Sequence, residues 1–155
     1  MSIFPTKILL AADGSREAEI AARTAADLAN STNSELHVVT VAPGNPDPVY
    51  HIHEGGFRYE TYEEALEAVK GAAQKTLDEQ VQKIEEAGGT VKEAHLKTGE
   101  RRDQAIVHLA EELGAGLIVL GSRGLGGVRR ALMGSVSSSV VHHAHCPVLV
   151  VRPEK

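Results

Sequence analysis

Leu117-Ile118-Val119-Leu120 is apolar at every position, and the next residue is Gly121. A strand with one face in water alternates apolar and polar residues, so an unbroken apolar run predicts a strand covered by helices on both faces. Val148 to Val151 has the same character, Lys7 to Ala12 is nearly continuous in apolar character, and Leu36 to Val41 is β-branched and largely apolar. The third run in chain order, Val91 to Leu96, is broken by Lys92, Glu93 and His95, as expected of a half-exposed strand toward a sheet edge. Between these runs the apolar residues recur every three or four positions. Ala18, Ala21, Ala22, Ala25 and Ala29 follow the candidate cap Ser15. Leu66, Val69, Ala73, Leu77, Val81 and Ile84 precede Gly88-Gly89. Ile106 to Leu113 and Val136 to Ala144 give two further helices. Strand and helix in strict alternation predict βαβ units: an α/β fold with an open five-stranded parallel sheet and helices on both faces.

A length of 155 residues with 42% hydrophobic and 24% charged residues suits one domain over residues 1–155. Cys146 is the single cysteine, which excludes an intramolecular disulfide, and Met1 to Thr6 lack a charged-then-apolar leader pattern. The cytoplasm is therefore the expected compartment. No apolar run approaches the roughly 20 residues of a membrane span, so no membrane association is expected. A net charge of −5 repels polyanions and argues against nucleic acid as the partner, although a small anion can still bind locally.

The second run opens into Pro43 to Glu60, rich in proline, glycine and histidine, and is expected to be a long loop. A lid over a ligand and a structureless segment are both open readings of it.

Ligands of open parallel α/β sheets bind beyond the carboxyl ends of the strands. The segment that leaves the fourth run there has the spacing G-x2-G-x9-G-S, set by Gly121, Gly124, Gly134 and Ser135. Glycines without Cβ atoms let phosphate oxygens reach main-chain N–H groups. Gly134-Ser135 stands where a helix begins, so free N–H groups and the positive end of the helix dipole would face an anion, with the Ser135 hydroxyl as a further donor. Arg123, Arg129 and Arg130 bring positive charge to this segment, either to a phosphate or to solvent. The lysine-bearing phosphate loop G-x-x-x-x-G-K-[ST] is absent, as is a G-x-G-x-x-G after the first strand. Asp13, at the end of the first run, is either a turn residue or a partner for ribose hydroxyls or a phosphate-bound metal.

With these residues the chain resembles the universal stress protein family, specifically its ATP-binding branch, whose motif is G-x2-G-x9-G-[ST]. The likeness also covers Ile8 to Ser15, the strand ending at Val41, Ile118 to Gly124 and Cys146 to Arg152. It implies a Rossmann-like, adenine nucleotide alpha hydrolase-like sheet, with adenine and ribose near Ala12, Asp13 and Val41. Phosphates would be held by Gly124, Gly134, Ser135 and Val136, beside Gly121 and Arg123. It further implies ATP, with Mg or Mn reaching Asp13 through phosphate, and a homodimer joined through the last strand, whose apolar edge needs covering.

Three functions are then open. The first is a regulatory, stress-responsive ATP-binding protein, which needs only different affinities in two states. The second is a slow ATP hydrolase, but residues 121–135 hold no lysine or acid to serve the chemistry. The third is a metal protein built from His142, His143, His145 and Cys146, with His51 and His53. On a helix His142 and His145 share a face, but no second cluster completes a tetrahedron, and packing beside the last strand explains Cys146 equally well.

Overall fold

The computed structural model describes residues 2–44, 50–53, 56–59, 61–123 and 133–153. In chain order the elements are β1 (Lys7–Ala11), α1 (Arg16–Thr32), β2 (Glu35–Val41), β3 (Tyr50–His53), β4 (Gly56–Tyr59), α2 (Tyr62–Glu86), β5 (Glu93–Lys97), α3 (Arg102–Leu113), β6 (Leu117–Gly121), α4 (Ser135–His143) and β7 (Val148–Val151). Five strands form one parallel sheet in the order β5-β2-β1-β6-β7. The fold is the Rossmann-like α/β arrangement expected from the alternation of runs. Strand order reverses between β1 and β6, and a crevice opens at such a switch point.

Alternation along each strand divides the core in two. Ile8, Leu10, Leu36, Val38, Leu117 and Val119 pack with α1 and α2, while Leu9, Val39, Val41, Ile118 and Leu120 pack with α3 and with Val140 of α4. Burial on both faces explains why these strands are apolar throughout. At the two edges, β5 and β7 are only partly buried, which accounts for the interrupted pattern of β5. The small-residue face of α1 is fully used, with Ala18, Ala21, Ala22, Ala25 and Ala29 all buried.

Three expectations are corrected. Pro43 to Glu60 is not an unbroken loop, because β3 and β4 within it pair as an antiparallel hairpin in the register Tyr50↔Tyr59 to His53↔Gly56. Four-residue strands bounded by proline and glycine carry too few positions to show a period of two. The third run begins at Glu93 rather than Val91, although the Lys92 N–H already donates to the Leu36 carbonyl at 2.7 Å. Finally, α4 stops at His143, with Ala144 as its cap in extended conformation, so His145 lies off the helix and shares no helical face with His142. Among the described residues no helix is long and apolar enough to cross a membrane.

Candidate functional site

Two strand-to-helix junctions lie side by side at the carboxyl end of the sheet, after β1 and after β6. At the first, Asp13 Oδ1 accepts the Ser15 N–H at 2.9 Å, and Gly14 takes the left-handed conformation at φ 84°. The Ser15 hydroxyl then accepts the Ala18 N–H at 3.1 Å and caps α1, whose first turn also carries Glu17 and Glu19. Asp13 is thus the turn residue that one reading anticipated, and it still faces the crevice.

At the second junction no such closure is made among the described residues. Gly134 is the residue before α4, it has no side chain to cap the helix, and the first turn holds no acid. Ser138 N–H makes the first helical bond, to the Gly134 carbonyl, so the N–H groups of Ser135, Val136 and Ser137 precede the hydrogen-bonded ladder. The Gly134 N–H is not among the free ones, as spacing had suggested, because it donates to the Ser122 carbonyl at 2.7 Å. The buried Ser137 hydroxyl approaches the same carbonyl at 2.9 Å and that of Gly121 at 3.1 Å, which fixes the direction of α4.

The glycines here act differently from one another. A Cβ on Gly121 would stand 2.7 Å from Glu17 Cβ and 2.9 Å from the Glu17 carbonyl carbon. Gly121 therefore permits α1 to approach β6, rather than opening the backbone to a phosphate. A Cβ on Gly134 would meet only ordinary contacts, 3.4 Å from Arg123 Cα and 3.5 Å from the Ser122 oxygen.

Between the junctions lies a cavity of about 250 Å³. Ala12, Asp13, Val41, Gly121, Arg123, Gly134, Ser135 and Val136 all line it, so the structure brings these expected site residues together. Gly124, Arg129 and Arg130 lie outside the described residues. Part of the lining is apolar, made by Val39, Val41, Ile106 and Leu120, and the rest includes the start of α4 and Arg123. Arg123 Nη2 is 3.6 Å from Glu17 Oε1, and among the described residues its buried Nε has no partner. An unmatched guanidinium nitrogen beside uncapped N–H groups makes this part of the lining complementary to an anion.

Arg102, Ile106 and Ser137 also line the cavity and were not singled out from the sequence. Arg102 opens α3, yet nothing in Arg101-Arg102 marks which arginine turns inward. Ser137 sits among three consecutive serines, and only the helix register selects it. Behind the cavity, Asp103 at the start of α3 accepts the Ser139 hydroxyl of α4 at 2.6 Å and Arg101 Nη2 at 3.0 Å. Burial pushes the Asp103 carboxyl up, but the Ser139 bond, the Arg101 charge and the N–H groups of Gln104 and Asp103 outweigh it and hold the carboxyl below its ordinary value.

The histidines singled out in the sequence do not converge. Among the described residues His142, His143, His145 and Cys146 form no group able to share a cation. The His143 ring instead meets its own helix at the Ser139 carbonyl, 2.8 Å away, and Cys146 packs against the α3-side core, where burial raises its thiol pKa. His51 and His53 are placed as strand backbone only. One grouping that could hold an ion does occur elsewhere, at His37, Glu93 and His95.

Comparison with known proteins agrees with this architecture. The model of the universal stress protein family matches residues 5–152. A universal stress protein of Staphylococcus haemolyticus is 35% identical over 148 residues, covering 96% of this chain and 85% of that protein. Universal stress protein UspA from Lactobacillus plantarum superposes with a TM-score of 0.76 at 25% identity, covering 97% of this chain and all of that one. The universal stress protein from Archaeoglobus fulgidus in complex with dAMP has a TM-score of 0.66 at 28% identity, covering 97% of this chain and 100% of its own. By sequence over nearly its whole length, and by fold, the chain belongs to the universal stress protein family.

Proposed function

We propose that the cavity binds ATP, with Mg or Mn on the phosphates, and that the protein is a regulatory, stress-responsive nucleotide sensor of the cytoplasm rather than a catalyst. The observation that carries this reading is the start of α4, which has no side-chain cap and lines a cavity that also has apolar lining residues. In this reading the adenine lies against Val41 and Ile106, and the ribose hydroxyls reach Asp13. The phosphates meet the N–H groups of Ser135 and Val136, the Ser135 hydroxyl and Arg123, with Gly124 completing the cradle. The dAMP complex of the Archaeoglobus relative supports an adenine nucleotide as the ligand class.

A homodimer through β7 belongs to the same reading. This strand ends the sheet beside β6 and is only partly buried along its length, so a second copy could cover it.

The test is calorimetric titration of nucleotide-stripped protein with ATP, AMP and GTP, with light scattering for the oligomer. ATP should bind more tightly than GTP and should stabilise the fold by about 2.7 kcal/mol at 100 times its Kd. Phosphate followed in the same samples should not be released above the spontaneous rate. Absence of any thermal shift with millimolar adenine nucleotides would overturn the assignment.

A further inference from the structure

His37 and Glu35 stand in the first half of β2, and Glu93 and His95 on the neighbouring β5. The parallel register sets Glu93 beside His37 and His95 beside Val39. Side chains paired in this way project to one face, here the α3 side, which elsewhere is apolar. His37 is only 3% exposed within it.

A buried imidazole needs a partner for each ring nitrogen. His37 Nε2 lies 3.3 Å from Glu35 Oε2, and His37 Nδ1 lies 3.2 Å from His95 Nε2. A carboxylate only accepts, so Nε2 of His37 carries the proton and Nδ1 presents its lone pair to His95. Two nitrogens this close hold either a proton or a cation between them. Tetrahedral zinc, with Zn–N bonds of about 2.0–2.1 Å, spaces its ligand atoms about 3.3 Å apart.

We propose that His37 Nδ1, His95 Nε2 and a Glu93 carboxylate oxygen form a binding site for a zinc-class divalent cation, with Glu35 as the carboxylate partner of His37. Ligand atoms of the three residues all lie within 4.8 Å of one another. Imidazole with carboxylate suits zinc, whereas calcium and magnesium take all-oxygen sets. Glu35 on the far nitrogen of His37 supplies the outer carboxylate that orients a metal-bound histidine. Glu93 is exposed, so it gives the ion a route in from solvent and leaves its fourth position to water. Burial keeps His95 below the ordinary histidine value; Glu93 raises it, His37 and Lys97 lower it, and Glu112 raises it.

The site is tested on the whole protein after chelator dialysis and without nucleotide, since ATP itself chelates metals. Zn2+ is titrated by calorimetry and Co2+ by visible absorption. Binding of one ion per chain is expected, with the absorption of tetrahedral Co2+. His95→Ala should weaken affinity at least about 100-fold, and Glu93→Gln and Glu35→Gln about 10- to 100-fold. His142→Ala and His145→Ala should leave it unchanged. If His95→Ala does not fold, the exposed Glu93→Gln still decides the matter. The proposal is overturned if wild type takes up no stoichiometric ion, if Glu93→Gln binds as wild type does, or if the His142 and His145 variants are the ones that lose the ion.

Discussion

The starts of α1 and α4 face the same cavity across the switch point of the sheet, yet they are finished in opposite ways. At α1 the Ser15 hydroxyl and the acids of the first turn satisfy the helix from within the chain. At α4 a glycine takes the cap position, no acid follows in the first turn, and Arg123 adds a donor that is unmatched among the described residues. A helix start closed by its own residues serves the fold, and in the proposed reading the one left open serves the ligand. That reading rests on the difference between the two starts, rather than on the presence of glycine, to assign the side of the cavity that takes negative charge.

The strongest way to break this contrast is to give α4 the kind of closure that α1 already has. Gly134 has φ −66° and room for a Cβ, so Gly134→Asp should fold normally, with a gain of a few tenths of a kcal/mol from the new cap. Its carboxylate would stand beside the phosphates, where a like charge about 4 Å away costs on the order of 4 kcal/mol before screening. A loss of ATP affinity of about 100-fold or more is expected by calorimetry. Undiminished binding would show that the anion lies elsewhere.

Next in size is Gly121→Ala. Its Cβ meets the Glu17 backbone, so α1 must move away from β6 at a cost of about 1–3 kcal/mol, read as a lower urea midpoint. An unchanged midpoint would mean that Gly121 serves the ligand instead. Ser15→Ala removes the α1 cap and should cost about 1 kcal/mol of stability while leaving ATP affinity nearly unchanged. If affinity fell as far as in Gly134→Asp, the two helix starts would not differ in role.

The smallest effect sharpens the comparison through pH. Asp103 ties α3 to Ser139 of α4, and its folded carboxyl titrates below the ordinary value. The unfolded chain therefore takes up a proton first, near pH 3.9. The stabilisation is complete above that pH and is lost as pH falls from there through the lowered folded value. The gap in urea midpoint between wild type and Asp103→Asn should narrow as pH drops from about 5 to about 3. A constant gap would exclude Asp103 as the titrating group.

Much of the sheet was legible because its interior strands are covered twice and hence apolar throughout. The edge strand β5 was displaced by two residues, since half-exposed positions such as Lys92 do not mark a boundary. The pair β3 and β4 was hidden by the prolines and glycines around it. For the cavity, the β6–α4 spacing pointed to Gly121, Gly134 and Ser135, which the structure brings to one cavity, but the use of the Gly134 N–H by Ser122 depends on a turn that spacing does not encode. His37 and His95 lie 58 positions apart and meet only through strand register. The adjacent His142 and His143, by contrast, are close in the chain and share no site.

The backbone of Ser122 joins more of the molecule than its position suggests. Its N–H donates to the Val151 carbonyl at the end of β7, while its carbonyl holds Gly134 and Ser137 at the start of α4. The two peptide planes that meet at the Ser122 Cα thus link β7 to the mouth of the cavity. A bulky label attached close behind Val151 would strain that linkage, so a position that looks like a convenient handle is mechanically coupled to the cavity.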